Sequence, residues 1–374
     1  MKVVLIGGHL SPALCVLEAL PKDTKILFIG RKYSLEGDGA LSLEYETITS
    51  MGIPFVGLNT GRLQRRITKF TLLSLLKIPT GLIKSFLILA KCKPDVVVGF
   101  GGYVSVPVIF CAYLLGIPVV IHEQTMKIGF GNRLVSKFAK KICISWESSR
   151  EYFPKNKVVL TGNPVRKFSI VSSGFSIFGN KRPIIYITGG SSGAHAINVL
   201  IEGIIKELLH SYNVIHQAGD TQKYCDFERL ECLKRELPPE IQENYILKKF
   251  IEPSQIGDII KSSSLVITRS GINTVTELVY FEKPALLIPL PFSQKNEQQE
   301  NAKYLEKIGL GKVFPQSKLT PEKLLQKIKL MLKDIEKYKI NKEKFENIPA
   351  GRNAAQNIVS VINYVYKAKA EKKL

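Results

Sequence analysis

The sequence is short of acidic residues. It has 32 Asp and Glu residues against 53 Lys and Arg residues, which leaves a formal net charge of +21. Such an excess of positive charge predicts an anionic partner, and nucleic acid, anionic lipid and phosphorylated substrates are the candidates. Aromatic residues are not interleaved with the basic ones as they are in proteins that stack nucleobases, so we expect no nucleic-acid partner.

Metal-ligand patterns and targeting signals are also lacking. The six cysteines form no Cys-x-x-Cys pair, and the sequence has no Asp-x-Asp pair. We therefore expect no metal and no other cofactor. The chain opens with MKVVLIGG, which is typical of a strand and a glycine turn rather than of a signal peptide. We expect a cytoplasmic, reducing setting in which the cysteines mostly fill the core.

One uncharged segment, 96–121, has the length of a membrane span. Four glycines and two prolines interrupt it, which favours strand, loop, helix and strand. Residues 265–291 repeat this layout, with a strand, the turn Arg269-Ser270-Gly271, a helix from about Ile272 to Phe281 and a second strand. The repeated layout predicts two similarly built α/β halves.

A chain of 374 residues suits two domains. We place one at residues 1–166 together with a C-terminal helix of about 350–374, and the other at 167–349. Residues 31–60 are rich in turn formers and carry no predicted element, and residues 195–210 are predicted as one helix.

Three features of the second half point to a nucleotide. GGSSGA, at residues 189–194, joins a predicted strand to a predicted helix, where backbone N–H groups and the helix dipole favour an anion. Thr274 and Glu277 share one helix face, and a carboxylate such as Glu277 accepts hydrogen bonds from two ribose hydroxyls. Residues 293–301 are rich in amides that pair with sugar hydroxyls. No acidic residue ends the strand that follows the glycine turn, so a dehydrogenase is disfavoured.

The first half offers candidates for catalysis. His9 follows the glycine turn after the first strand, where an imidazole could take a proton from a hydroxyl or bind an anion. His122, Glu123 and Gln124 end another strand at the same edge.

Residues 62–93 form a distinctive basic stretch. They carry eight basic residues and no acidic ones, among large apolar side chains, and Pro79 is expected to divide the stretch into two helical pieces. Such a composition suits an anionic membrane surface, although a core-facing helix pair with a solvated basic face has the same pattern. The candidate membrane contacts are Arg62, Arg65, Arg66, Lys69, Phe70, Leu73 and Phe86.

The motifs GGYVSVP, GIPVVIHEQ, TGNPVR, GGSSGA, HQAGD, TRSGINTVTEL and PALLIPLP occur in this order. As a set they resemble the MurG family of bacterial N-acetylglucosaminyltransferases, from the first strand to about residue 305. The resemblance implies an α/β protein of the GT-B fold, with two Rossmann-like domains whose parallel sheets face each other across a cleft. It also implies an inverting enzyme that transfers GlcNAc from UDP-GlcNAc to the MurNAc C4 hydroxyl of undecaprenyl-pyrophosphoryl-MurNAc-pentapeptide (lipid I). The resemblance further implies that lipid II is the product and that no protein-bound metal is used, and we expect the enzyme to lie peripherally on the cytoplasmic face of the membrane.

The resemblance also implies roles for individual residues. The implied donor-binding residues are Arg166, Gly190, Ser191, Asn198, Ile251, Ser270, Gly271, Thr274, Glu277, Gln298 and Gln299. The implied acceptor-binding residues are Gly8, His9, Tyr103, Ser105 and Gln124, and the candidate bases are His9 and Glu123. Two motifs differ from the family, because its GGTGGH loop is GGH here and its HEQN is HEQT, with Thr125 in place of the amide.

Two rival interpretations fit the same residues. One is a UDP-sugar transferase acting on another membrane lipid, such as diacylglycerol. The other is a non-catalytic membrane subunit that binds a nucleotide sugar. The presence of both halves in one chain favours the enzyme over the subunit.

Overall fold

The computed structural model of the protein describes residues 1–33, 41–61, 69–165, 178–190, 192–220, 223–293, 296–341 and 353–371. For residues 69–76 and for residue 253 it describes the backbone alone. The chain separates into two compact units, the first comprising Met1–Arg166 with Pro349–Leu374 and the second Lys167–Ile348. Each unit is a parallel β-sheet with helices on both faces.

Parallel strands form both sheets. The strands of unit 1 are β1 (Lys2–Ile6), β2 (Lys25–Gly30), β3 (Phe55–Gly57), β4 (Val96–Gly99), β5 (Val119–Glu123), β6 (Lys141–Ile144) and β7 (Val158–Leu160), in the sheet order β3-β2-β1-β4-β5-β6-β7. The strands of unit 2 are β8 (Ile184–Thr188), β9 (Asn213–Gln217), β10 (Tyr245–Lys248), β11 (Leu265–Thr268), β12 (Ala285–Leu287) and β13 (Gly311–Val313), in the order β10-β9-β8-β11-β12-β13.

Helices connect the strands. In chain order they are α1 (Leu10–Ala19), α2 (Leu43–Ser50), α3 (Lys69–Cys92), α4 (Ser105–Leu114), α5 (Phe130–Val135), α6 (His195–Glu202), α7 (Ile205–Leu209), α8 (Asp226–Arg235), α9 (Pro239–Gln242), α10 (Pro253–Ser262), α11 (Ile272–Tyr280), α12 (Glu297–Lys307), α13 (Pro321–Lys333) and α14 (Ala354–Glu371). The last of them, α14, packs on α1 in unit 1.

Strand β1 shows how the sheet of unit 1 is buried on both faces. Successive side chains of a strand point to opposite faces, so Val3 and Leu5 pack with the core under α1, α2 and α14. Val4 and Ile6 pack with the core under α3, α4 and α5. The strand is therefore apolar without alternation, as expected for a parallel sheet with two covered faces.

Two predictions about elements are wrong. Pro79 does not divide the basic stretch, because α3 runs through it. Neighbouring contacts hold the helix there: the Thr80 hydroxyl donates to the Lys77 carbonyl over 2.9 Å, and the Ser85 hydroxyl donates to the Gly81 carbonyl over 2.7 Å. Gly81 packs against Thr60, so the tertiary contacts compensate for the hydrogen bond that a proline removes.

The other concerns residues 195–210. Residues 31–60, to which the sequence analysis assigned no element, also contain regular structure. Residues 31–60 contain α2 and β3, whose ends are fixed by the Ser42 side chain accepting from the Tyr45 N–H over 3.1 Å and by pairing of β3 with β2. Residues 195–210 form two helices, α6 and α7, because the chain leaves helical geometry at Ile204. Gly203 there packs so closely on Pro321 of α13 that a Cβ would lie 2.9 Å from the proline ring.

Candidate active site

In both sheets the order in which successive strands are added reverses at a corresponding position. This switch lies between β1 and β4 in unit 1, and between β8 and β11 in unit 2. Ligands of open parallel sheets bind at the carboxyl ends of the strands at such a switch point. The loops found there are Gly7–His9 and Phe100–Gly102 in unit 1, and Gly189–Ala194 and Arg269–Gly271 in unit 2, so each half has one candidate site.

The switch point of unit 2 holds a cavity of about 460 Å³. It lies where the two glycine turns meet the amino-terminal ends of α6 and α11. Its lining residues are Gly189, Gly190, Gly193, Ala194, His195, Ala196, Tyr224, Arg269, Gly271, Thr274, Leu290, Gln298 and Gln316. Of the predicted donor-binding residues, the structure brings Gly190, Gly271, Thr274 and Gln298 together in this wall.

The glycine turn after β8 is fixed by its neighbours. Gly193 has a φ of +75°, and a Cβ there would lie 2.0 Å from the Ala218 carbonyl oxygen, so only glycine fits. The Gly190 N–H donates to Thr188 Oγ1 over 3.0 Å, and Gln217 Nε2 donates to the Gly190 carbonyl over 3.0 Å. These contacts fix Gly190 and Gly193 at the wall of the cavity. Ser191, the predicted diphosphate contact, lies outside the described residues.

Hydrogen bonds tie α12 to the turn that precedes α11. Ser270, which is buried, donates its hydroxyl to the Gln298 carbonyl over 2.7 Å, and Asn301 Nδ2 donates to the Ser270 carbonyl over 3.0 Å. Gln298 Oε1 accepts from the Leu290 N–H over 3.0 Å, which directs this side chain toward the cavity. Ser270 therefore orders the wall rather than contacting a ligand through its hydroxyl.

Other predicted donor residues lie around the cavity rather than in its wall. Glu277 is buried one turn after Thr274 on α11, and Gln299 is half-buried on α12. Ile251 is buried in the turn between β10 and α10. Asn198 is only 1% exposed, and its amide is used inside the protein, donating to the Ala218 carbonyl and to Asp226 over 2.9 Å each. Asn198 is thus placed to order the site, and Arg166 lies outside the described residues.

Arg269 is a cavity residue that the sequence analysis missed. Its Nη1 donates to the Ile288 carbonyl over 2.9 Å and its Nη2 to Gln316 Oε1 over 2.8 Å. Its Nε is buried without a hydrogen-bond partner among the described residues, and burial lowers the pKa of the guanidinium. A guanidinium that faces a cavity with spare donor capacity is suited to an anion. The available signal was its position at the end of β11, directly before Ser270-Gly271.

In unit 1, the two glycine turns pack against each other. A Cβ on Gly8 would lie 2.3 Å from the Gly101 carbonyl oxygen, so the turn requires glycine there. The Gly8 N–H donates to Glu44 Oε1 over 3.1 Å, and the Arg31 N–H donates to Glu44 Oε2 over 2.9 Å. The Gly8 N–H is thus already bonded to the Glu44 carboxylate, although the sequence analysis names Gly8 as an acceptor-binding residue.

His9 lies beside the second glycine turn. Its ring lies so close to Gly101 that a Cβ on that glycine would be 3.2 Å from His9 Cδ2 and 3.4 Å from His9 Nε2. Desolvation lowers the pKa of His9, although the charge of Glu123 acts in the opposite direction. A lowered pKa keeps the imidazole neutral at pH 7, which is the form that accepts a proton.

Glu123 is placed as an anchor of the following loop. Its Oε1 accepts from the Thr125 N–H over 3.0 Å and from the Thr125 hydroxyl over 2.6 Å. Its Oε2 accepts from the Gly129 N–H and from Asn132 Nδ2 over 3.1 Å each. The carboxylate is 1% exposed, and four donors occupy it. Among the two candidate bases, this geometry favours His9.

The remaining acceptor candidates differ in availability. Ser105 is fully buried, and its hydroxyl donates to the Gly101 carbonyl, so it fixes the turn. Tyr103 is half-buried, with the Arg31 guanidinium 6.0 Å above its ring. Gln124 is buried, and its Oε1 has no hydrogen-bond partner among the described residues. Tyr103 and Gln124 therefore remain the better candidates for a polar ligand.

The predicted membrane residues fall on α3 or before it. Arg62, Arg65 and Arg66 lie outside the described residues, and the side chains of Lys69, Phe70 and Leu73 are likewise not described. Phe86 is exposed on α3.

Among the described helices, none combines the length and the apolar character that a membrane crossing requires. In the described ranges, no three His, Cys, Asp or Glu residues come together as a metal site would require.

Comparison with known proteins agrees with this arrangement of two halves. Residues 6–144 match the glycosyltransferase family 28 N-terminal domain, and residues 184–360 match the glycosyltransferase family 28 C-terminal domain. The crystal structure of MurG from Acinetobacter baumannii superposes with a TM-score of 0.69 and 28% identity, covering 97% of this chain and 100% of that chain.

Two sequence relatives have the same name, UDP-N-acetylglucosamine–N-acetylmuramyl-(pentapeptide) pyrophosphoryl-undecaprenol N-acetylglucosamine transferase. The protein of Lachnospira eligens is 32% identical over 355 residues, which cover 92% of this chain and 95% of the relative. That of Treponema denticola is 34% identical over 328 residues, which cover 84% of this chain and 83% of the relative. With these relatives, its two matching domains and its two parallel-sheet Rossmann-like halves, the chain has the GT-B fold and belongs to the MurG family within glycosyltransferase family 28.

Proposed function

We propose that this chain transfers GlcNAc from UDP-GlcNAc to the C4 hydroxyl of MurNAc on undecaprenyl-pyrophosphoryl-MurNAc-pentapeptide, converting lipid I to lipid II in peptidoglycan synthesis. It is an inverting hexosyltransferase that depends on UDP-GlcNAc. The names of the relatives support this acceptor over diacylglycerol, and an enzyme over a non-catalytic subunit. The observation that carries the proposal is the cavity of unit 2, where the amino-terminal end of α6 and the glycine turn before it meet α11 and Gln298 of α12.

The cavity has the groups that a nucleotide sugar requires. In our proposal the first backbone N–H groups of α6, at Ala194 to Ala196, face the diphosphate, and Arg269 adds a positive charge. Thr274 and Gln298 supply a hydroxyl and an amide for phosphate and sugar oxygens. Glu277, one turn further along α11, accepts the ribose hydroxyls, and Ile251 packs against the base. Unit 2 is thus the donor domain, and unit 1 is the acceptor domain.

The chemical step needs one base. In our proposal, the oxygen of the MurNAc C4 hydroxyl attacks C1 of GlcNAc from the face opposite UDP, and His9 removes the proton from that hydroxyl. The bond between C1 and the UDP oxygen breaks, UDP leaves with the electron pair, and the proton stays on His9. The lowered pKa of His9 supports this role, because a neutral imidazole is ready to accept a proton at pH 7.

A membrane-embedded acceptor requires docking, and unit 1 has a surface for it. Seven large apolar side chains on α3, α4 and α5 are between 42 and 61% exposed, although the inner faces of these helices share one core. They are Ile83, Phe86, Leu87, Tyr113, Leu114, Phe130 and Leu134. Exposed basic residues, including Lys84, Arg133, Lys137 and Lys140, lie among them in sequence. We propose that this outer face docks the enzyme peripherally on the anionic cytoplasmic membrane surface.

The test is incubation with UDP-GlcNAc and a lipid I analogue, followed by mass analysis. We expect a product heavier by one N-acetylhexosamine residue. Glu277→Ala should weaken UDP binding by the loss of two charge-assisted hydrogen bonds, together worth roughly 2–4 kcal/mol. Glu300→Ala, on the neighbouring α12, is the matched control. Transfer to diacylglycerol instead of the lipid I analogue would contradict the proposed acceptor.

A further inference from the structure

The donor cavity contains a histidine to which the proposed transfer assigns no role. His195 is the first residue of α6 and lines the cavity directly after Gly193 and Ala194. Its side chain is 38% exposed, so a ligand can reach it. Arg269 and His195 are the two side chains in the lining that can carry a positive charge.

Two neighbours fix the imidazole. Its Nδ1 lies 2.7 Å from Asp226 Oδ1, and the Tyr224 ring stacks on it at 3.9 Å between centroids with an interplanar angle of 9°. Tyr224 also lines the cavity. Because Nδ1 is bound to the carboxylate, Nε2 is the ring nitrogen left for a ligand, and among the described residues no hydrogen bond engages it.

Asp226 is itself held in place from behind. It is buried, and it accepts from Asn198 Nδ2 over 2.9 Å and from Arg229 Nη2 over 2.8 Å. Burial would raise its pKa, but the hydrogen bonds from Asn198, His195 and Arg229 outweigh it and lower the pKa of Asp226. The carboxylate is therefore ionised and immobile, and it orients the imidazole that faces the cavity.

We propose that His195 is a diphosphate-binding residue of the donor site and that Asp226 is its positioning residue, an inference that rests on the proposed function. With Nδ1–H donated to Asp226, a ring that also carries a proton on Nε2 donates it to a phosphate oxygen, and Tyr224 holds the ring plane. A hydrogen bond of this kind adds to the backbone N–H groups at the start of α6. The contact exists only for ligands that carry phosphate.

Calorimetric titration with UDP and with uridine separates this role from a structural one. The parent chain is compared with His195→Ala, Asp226→Asn and the control His210→Ala, a variant of an exposed histidine in the same unit. We expect His195→Ala to weaken UDP binding about ten-fold or more and to leave uridine binding within about two-fold. Asp226→Asn should weaken UDP selectively but less, and His210→Ala should bind both ligands like the parent.

The outcomes distinguish the inference from its premise. Unchanged UDP affinity in His195→Ala, with UDP still bound by the parent, overturns the inference alone. An equal loss for UDP and uridine also overturns it, because that result means indirect damage to the pocket. If the parent binds neither ligand, the proposed donor and this inference fall together. Thermal melting of each variant shows whether Asp226→Asn has lost its fold. In that case, the loss of UDP affinity relative to uridine affinity in His195→Ala decides.

Discussion

At the scale of single residues, His9 carries the chemical proposal. Desolvation lowers its pKa, so the neutral base is present from neutral pH down to somewhat below pH 6.5. We expect His9→Ala to lower kcat by roughly 10²–10⁴, with little change in UDP affinity. The parent should lose activity only as the pH falls through the lowered pKa, and the variant should lack this acidic limb. Steady-state kinetics between pH 5 and 8 measure both effects.

Glu123→Gln is the natural comparison for His9→Ala. Four donors face the Glu123 carboxylate, and an amide would direct its own N–H group at one of them. Glu123→Gln should therefore lower the melting temperature together with activity, whereas His9→Ala should lower activity alone. A His9→Ala variant with normal kcat and a raised acceptor KM would assign His9 to pyrophosphate binding instead.

At the scale of elements, α3 combines two roles on one helix. Its inner side, with Leu89, packs in the core over the sheet, and its outer side exposes Ile83, Phe86 and Leu87. A helix that served only the core would place polar residues at these outer positions. Three adjacent helices share this property, which supports the proposed docking surface.

The outer face gives a membrane prediction. Changing Ile83, Phe86 and Leu87 together to serine should reduce co-sedimentation with anionic vesicles by about ten-fold or more, because each apolar side chain that enters the interface contributes up to about 1.5–3 kcal/mol. Binding of the parent should fall with salt and be weak on neutral vesicles. Leu43→Ser is the matched control, since Leu43 is 70% exposed but lies on α2, on the other face of the sheet. Equal loss in the control would mean that the face is not a docking surface.

At the scale of the whole molecule, one fully buried histidine in each unit makes stability depend on pH. Burial lowers the pKa of His122 and of His216 to about 3 each. The unfolded chain binds a proton at each near pH 6.5, which the folded chain cannot bind until about pH 3. The free energy of unfolding is therefore highest above pH 6.5 and decreases as the pH falls toward 3.

The single tryptophan measures this effect in unit 1. Trp146 is buried and donates to the Gln124 carbonyl over 2.8 Å, so its fluorescence reports unfolding around His122. Between pH 7.5 and 5.5 each such histidine should cost about 1.4 kcal/mol of stability. Urea unfolding of His122→Gln should lose this share of the pH dependence, and His210→Gln should retain it. A slope unchanged by His122→Gln would contradict the assignment.

The sequence by itself determined the α/β class and the two halves, and it predicted four residues that the structure brings together in the cavity of unit 2: Gly190, Gly271, Thr274 and Gln298. The alternation of apolar strands with glycine turns and helices is local information, and the shared helix face of Thr274 and Glu277 follows from their spacing. Gln298 was predicted from the resemblance to the family. The glycine turns are visible in the sequence, but the contacts that require glycine at Gly8 and Gly193 are made with Gly101 and Ala218, which are distant in the chain. The family motifs added the substrates.

Only the tertiary structure decided which side chains serve the ligand and which serve the fold. Residues 195 and 226 are 31 positions apart, and Gly8 and Glu44 are 36 apart, so no local pattern shows that they are bonded. Glu123, Asn198, Ser105 and Ser270 carry suitable chemistry in sequence, yet their polar atoms are consumed by neighbours. The continuity of α3 through Pro79 likewise depends on contacts with distant residues, because packing energy outweighs one lost backbone hydrogen bond.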